Sequence, residues 1–496
     1  MPARSITVLV IGIVILLPVP SLYAQGPDSL WHRAYGDTLS DFAFAVEEAF
    51  DGCYVTVGQM QIQEPGSTTI SSDIVLVKTE SDGDMVWMKT YGGPGEDGSR
   101  DVLQTADGGF LITGYTDSFS PGHYDLYLIK TDANGDTVWT RTYGDTRHDE
   151  VGFSVRAAVD SGYFVAGDIE TLGSGTSSVY LLRVSDSGDY MWSRTYSKGM
   201  ASSARELDIV RDGGCIIVGS TFDPYADIYL IRTDANGDTL WTRTYGGSDG
   251  DYGTSVISQL GGSHFMVAGY SESAIVHGYD AFLMKVDSNG DLDWNEKYGG
   301  DGNEDASSVR ETSDGGYVLT GSTDSYGAGI NDFYLIRTNS NGDTLWTATY
   351  GGSGNDWGKE GLQTIDGSYV MAGVGGSFGP PFLNLYLVKA GADPAGVPGG
   401  GRRVETALDL TVMPSPSRGG VSIEYMLLVA GEVRVAVYDF LGREVATLKG
   451  CPESAGFHEA AWDGLDSRGE RVSPGLYFVR FTAGDEVAAR KVVMMR

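Results

Sequence analysis

Six carboxylates share one spacing. Asp41, Asp97, Asp149, Asp251, Glu304 and Asp356 each stand six residues after a tyrosine, at Tyr35, Tyr91, Tyr143, Tyr245, Tyr298 and Tyr350. A seventh tyrosine, Tyr196, has Ser202 in the corresponding place. Carboxylates ringing one channel mouth would present an acidic collar to a polar ligand or a cation. A carboxylate beside a Gly-rich turn also accepts backbone N–H bonds, and recurrence in every unit is what a structural role produces. The six acids are therefore the candidate ligand-binding residues, with turn capping as the competing role.

Other chemistry-bearing patterns carry less. Gly246-Gly-Ser248-Asp-Gly250 and Gly375-Gly-Ser377-Phe-Gly379 fit G-x-S-x-G. A nucleophile elbow needs a strand-to-helix turn, and these segments lie in loops between strands. Residues 93–98 fit G-x-G-x-x-G but open no helix. The histidines His32, His123, His148, His264, His277 and His458 share no repeat position and no metal-ligand spacing. Cys53, Cys215 and Cys451 are spaced for neither a disulfide framework nor a metal site, and Cys53 and Cys215 are predicted to stay unpaired. Asp132-x-Asn134-x-Asp136, Asp234-x-Asn236-x-Asp238 and Asp287-x-Asn289-x-Asp291 offer alternating oxygens but lack the later bidentate carboxylate of a calcium loop. The same residues suit hairpin turns. The expected cofactor set is none, with calcium at these turns as the alternative; no catalytic residue and no metal centre is predicted.

These patterns sit on a repeat. Trp31, Trp87, Trp139, Trp192, Trp241, Trp294 and Trp346 each precede the repeat tyrosine by four residues. A period of this kind points to a solenoid, a propeller or an array. In the second unit, 101–105 and 110–115 read as strands, 125–131 as a third, Asn134-Gly135 as a hairpin turn, and 137–143 as a fourth. Four short antiparallel strands describe a propeller blade. The seventh unit lacks its Trp-x-x-x-Tyr strand, and the first Trp-x-x-x-Tyr has no blade before it. An N-terminal strand completing the last blade gives seven four-stranded blades in a closed ring. The loops between second and third strands, such as 116–124 and 270–279, vary in length and carry aromatics, which suits binding.

The Asp132-to-Trp139 pattern, D-x-x-G-x-x-x-W, resembles the tryptophan-docking motif of pyrroloquinoline-quinone-like propeller repeats. That resemblance implies architecture only, because the adjacent cysteines typical of the quinone enzymes are missing.

The flanks differ from the ring. Arg4, the apolar run 6–17 and Leu22-Tyr23-Ala24 read as a secretory signal, so residues 1–24 are predicted to be removed, leaving no transmembrane helix. The formal charge of −33 falls almost wholly within residues 25–401, which disfavours nucleic acid and anionic lipid as partners. Residues 391–404 read as a Gly/Pro linker. The tail, 405–496, shows Pro414-Ser-Pro416, Val437-Tyr438-Asp439, Trp462-Asp463-Gly464 and Gly475-Leu476-Tyr477. These motifs resemble the C-terminal Ig-like sorting domain of secreted bacterial proteins, and also the Ig-like domain of flagellar hook-capping proteins. The resemblance implies a small β-sandwich and either type IX export through secretion machinery or a structural module.

The reading is an all-β chain: a seven-bladed β-propeller over 25–390 followed by a small Ig-like β-sandwich. It predicts a non-enzymatic binding module, secreted or on the outer surface of a bacterium, with a glycan or protein ligand. The alternatives are an extracellular glycan lyase or hydrolase, and a passive structural surface protein.

Overall fold

The computed structural model describes residues 24–36, 39–63, 68–120, 123–259, 263–272, 278–379, 382–394, 410–413, 420–427, 431–439, 443–453, 456–469, 471–473, 475–483 and 486–494. Most of the proposed signal and linker, and Pro414-Ser-Pro416, lie outside them. Seven four-stranded antiparallel sheets follow one another along the chain. Their innermost strands are Asp41–Glu48, Asp97–Gln104, His148–Ala157, Ala201–Ile209, Asp251–Ser258, Glu304–Glu311 and Asp356–Gln363. Six blades end on their own Trp-x-x-x-Tyr strand, such as Thr137–Tyr143 in the second.

The seventh blade takes its fourth strand from the N-terminal region. Ser29–Tyr35 pairs antiparallel with Asn384–Ala390, in register from Trp31 opposite Lys389 to Tyr35 opposite Leu385. The ring closes on its inner side as well. The Val46 N–H donates to Glu360 Oε2 at 3.1 Å, and the Ile365 N–H donates to Glu48 Oε2 at 2.8 Å, joining the seventh blade to the first. Val75, Val77, Val370 and Leu387 share one buried core across that seam.

The repeated Trp and Tyr form a latch between blades. Each Tyr hydroxyl donates to a carbonyl in the third-to-fourth-strand turn of the next blade: Tyr35 to Gly83, Tyr91 to Gly135 and Tyr196 to Gly237, each at 2.6 Å, and Tyr298 to Gly342 at 2.7 Å. These turn glycines hold positive φ and carry the preceding blade's Trp so closely that a Cβ would collide with the ring, as at Gly237 with Trp192. The sixth blade has no such turn to grip. Tyr350 instead donates to the Pro27 carbonyl at 2.7 Å, and Ala24–Gln25 pairs parallel with Trp346 and Thr347.

In the tail, two sheets build a small Ig-like domain. One holds Leu410–Met413, Val421–Leu427 and Gly456–Trp462; the other holds Glu444–Glu453, Gly431–Asp439, Gly475–Ala483 and Glu486–Met494. Their core joins Ile423, Tyr425, Val435, Trp462 and Phe481. The Trp462 ring lies edge-on to Tyr477 at 5.3 Å and donates from Nε1 to the Leu465 carbonyl at 2.8 Å. Trp462 of the Trp-Asp-Gly motif and Tyr477 thus mark core packing.

Candidate functional site in the central channel

Every inner strand carries one β-bulge at the same place. The register shifts between Ala43 and Ala45, Ser99 and Asp101, Gly152 and Ser154, Ala204 and Glu206, Gly253 and Ser255, Ala306 and Ser308, and Gly358 and Glu360. A bulge leaves one residue out of the ladder and re-aims its side chain. Here the released residues are Phe44, Arg100, Phe153, Arg205, Thr254, Ser307 and Lys359, and all seven line one cavity in the channel. The backbone is seven-fold repeated; the side chains it delivers are not.

An arc of alternating ring and cation fills half of this layer. The Arg100 guanidinium lies 4.8 Å from the Phe44 ring centre and 5.8 Å from that of Phe153, with Arg205 5.0 Å from Phe153 on the other side. Tyr115, at the end of a second strand, stands 5.1 Å from Arg100 and packs against Tyr124 across the following loop. Thr254 and Ser307 leave the far side open. Burial pulls the Arg100 pKa below its usual value. Among the described residues, no carboxylate comes within ion-pair distance of Arg100, Arg205 or Lys359. Burial pushes Asp168 up to about 7, against the pull of the Ala204 N–H and of Arg205. Asp305 is also raised by burial, with Lys359 opposing.

Beneath this layer two guanidinium groups bridge three carboxylates. Arg156 bonds Asp101 at 2.7 Å and Glu206 at 2.6 Å, while Arg310 bonds Glu206 at 3.0 Å and also pairs with Glu360. Asp101 accepts the Val155 N–H at 2.9 Å and Glu206 accepts the Val256 N–H at 3.1 Å, so these acids also tie each inner strand to the next. The channel therefore has a paired, buried belt next to a layer whose three cations make no ion pair among the described residues, with Asp168 near Arg205 and Asp305 near Lys359.

The six acids singled out by spacing go elsewhere. Asp41, Asp97, Glu304 and Asp356 are fully buried in the seams between blades, and Asp251 is half-buried. Their side chains point away from the cavity because residues alternate along a strand, and the bulge residue has the opposite parity. Three of them cap a turn four residues earlier: Gly93 N–H to Asp97 at 2.8 Å, Gly300 N–H to Glu304 at 2.7 Å, Gly352 N–H to Asp356 at 2.9 Å. Ser202, the exception, does the same for the Lys198 N–H at 3.0 Å. In the third blade, the residue in register with Asp97 is Glu150, two before the bulge, because the preceding loop is one residue longer. Asp149 is displaced outward and accepts the Tyr124 N–H at 3.0 Å.

Turn chemistry accounts for the Asp-x-Asn-x-Asp segments too. Asp132 accepts the N–H groups of Asn134 at 2.8 Å and Asp136 at 2.9 Å. In the sixth blade the uncharged Asn339 makes the same two bonds, so the role needs an oxygen and no charge. Loop aromatics are partly structural: Phe119, Tyr326 and Phe378 pack on the third-strand rings of Tyr127, Tyr334 and Tyr386. Cys53 and Cys215 are buried, free, and in different blades.

Sequence reasoning missed the bulge residues, since nothing in a strand pattern marks which residue leaves the ladder. It also passed over His148. The structure gathers His148 with Asp145 and Glu150, their ligand atoms all within 4.8 Å of one another.

The FlgD Ig-like domain family matches residues 417–486. No curated protein matches the chain. Among solved structures, PorZ is described as an essential bacterial surface component of the type-IX secretion system of Porphyromonas gingivalis. It is 11% identical, with a TM-score of 0.42, over 97% of this chain and 61% of PorZ, so the chain spans less than two thirds of PorZ's length. The periplasmic gluconolactonase PpgL of Pseudomonas aeruginosa is 14% identical, with a TM-score of 0.44, over 63% of this chain and 87% of PpgL. The polysaccharide lyase Uly1 is 11% identical, with a TM-score of 0.44, over 72% of this chain and 92% of Uly1. Likenesses this weak carry no ligand or activity across.

Proposed function

We propose that the propeller is an extracellular binding module whose channel mouth captures an anionic polymer, foremost a carboxylated or sulfated glycan. One observation carries the reading: three cations with no ion pair among the described residues, and two phenylalanines, occupy the bulge layer of a chain whose formal charge is −33. An acidic exterior repels most polyanions, so a central cationic layer is selective for a ligand that can reach into it. Guanidinium groups match carboxylate and sulfate oxygens in pairs, and aromatic rings offer flat apolar faces for sugar rings. A glycan lyase or hydrolase on the same ligand is the second reading, favoured by Asp168, held near neutrality beside Arg205.

One assay addresses both. Oligosaccharides of a uronate polymer and of a sulfated polymer are titrated against the full chain, with neutral oligosaccharides as control. Binding is expected for an anionic ligand alone and weakens as salt rises. The pair R100A/R205A loses at least about 30-fold in affinity. Equal binding of neutral and anionic chains, or an unaffected double variant, overturns the proposal. Cleaved product that disappears in D168N replaces the binder with an enzyme.

For export, the reading joins the signal-like residues 1–24 to the Ig-like tail as a sorting domain, which the FlgD match to 417–486 supports at the level of the module. The intact mass of the native protein tests it. An extracellular form ending near Arg402 is expected. An extracellular form retaining Arg496 removes cleavage-coupled sorting.

A further inference from the structure

The seams between blades hold a second pattern. An acid near the start of a third strand faces the capping acid of the following blade: Asp73 and Asp97 around Gly92, Asp227 and Asp251 around Gly246, Asp280 and Glu304 around Gly299, Asp332 and Asp356 around Gly351. Where Ser202 replaces the acid, Ser178 stands where the third-strand Asp would be, so both carboxylates are absent together. Two buried acids facing each other repel unless something positive lies between them.

The seam between the second and third blades goes further. Asp125 is 2% exposed and Glu150 is 3% exposed, and Asp125 Oδ1 and Glu150 Oε2 have no hydrogen-bond partner. Both oxygens converge on the space beside Gly144, where a Cβ would strike each of them. The loop that is one residue longer in this blade brings Asp145 and His148 to Glu150, the ligand atoms of these three lying within 4.8 Å of one another, with Asp125 outside that group. Asp145 Oδ1 and His148 Nδ1 are hydrogen-bonded at 2.9 Å, which is also the spacing of two cis ligands on a six-coordinate ion with bonds of about 2.1 Å.

We propose that Asp145, His148 and Glu150, backed by the buried Asp125, form a site for one divalent transition-metal ion, of the Mn²⁺ or Zn²⁺ kind. Carboxylates alone would suit calcium, but an imidazole among them shifts the preference toward borderline metals. The ion satisfies the orphaned Glu150 oxygen and offsets the charge of Asp125 beside it. Burial, with Asp145 and Asp149 adding to it, pushes Asp125 up to about 6. Burial, with Asp125 and Asp145 adding to it, pushes Glu150 up to about 8. The site lies in a seam, apart from the channel layer, and does not depend on what that layer binds.

Calorimetric titration of the chelator-stripped full chain with Mn²⁺, Zn²⁺ and Ca²⁺ tests the site. Saturable binding of Mn²⁺ or Zn²⁺ is expected. E150Q, and separately D125N, lower the stoichiometry by one or weaken that site at least about 10-fold, and H148A weakens Zn²⁺ more than Ca²⁺. Gln and Asn are near-isosteric and remove the repulsion, so both variants are expected to melt no lower than the metal-free parent. No saturable binding by the parent, or a stoichiometry and affinity unchanged in E150Q and D125N, overturns the proposal.

Discussion

Deleting residues 25–36 lowers the melting temperature of the whole propeller by at least about 10 °C. The deletion opens two seams at once. On one side, Asn384–Ala390 loses its ladder partner and becomes a bare edge. On the other, the first blade loses Trp31 and the Tyr35 hydroxyl from its turn at Gly83. Tyr350 also loses the Pro27 carbonyl, and the Gly391 N–H loses the Asp28 carbonyl at 3.0 Å. Large aromatic truncations in cores cost about 3–5 kcal/mol each, and here two aromatics leave with a strand. Differential scanning calorimetry reads the result. A deletion variant melting within about 2 °C of the parent contradicts closure by the N-terminal strand.

Replacing Arg156 by Met costs about 3–5 kcal/mol. Met keeps the apolar stem and removes the charge, leaving Asp101 and Glu206 buried beside each other with Arg310 alone to compensate. The side chains of Asp101 and Glu206 are 11% and 10% exposed, so water screens them little. Chemical denaturation at neutral pH measures the loss. A variant equal to the parent at neutral pH would mean the belt is not a stabilising unit.

The blade was legible because its largest residues recur. Trp and Tyr grip the next blade's turn, so their period is the period of the ring, and the third and fourth strands of the second blade fall where the pattern put them, at Asp125–Thr131 and Thr137–Tyr143. The inner strand was read short, as 101–105 against Asp97–Gln104, because Gly98, Ser99 and Arg100 carry little strand propensity. The channel layer was hidden for a different reason. A bulge changes which face a residue occupies without changing its type, so Arg100 and Lys359 read as ordinary strand positions. Equal spacing also misplaced one acid: a single inserted residue moved the seam position from Asp149 to Glu150, and with it the signal that would have drawn His148 into a cluster.

Ring closure has a temporal side. The last blade unites segments whose contacting side chains, His32 and Tyr386, are 354 residues apart along the chain. Whichever end emerges first, the strand that seals the ring must wait, unpaired, until nearly all the other blades exist. Loop closure over such a span is slow, and high contact order slows folding further. The propeller therefore has a long interval between acquiring most of its structure and becoming a ring, and in that interval the chain remains threadable.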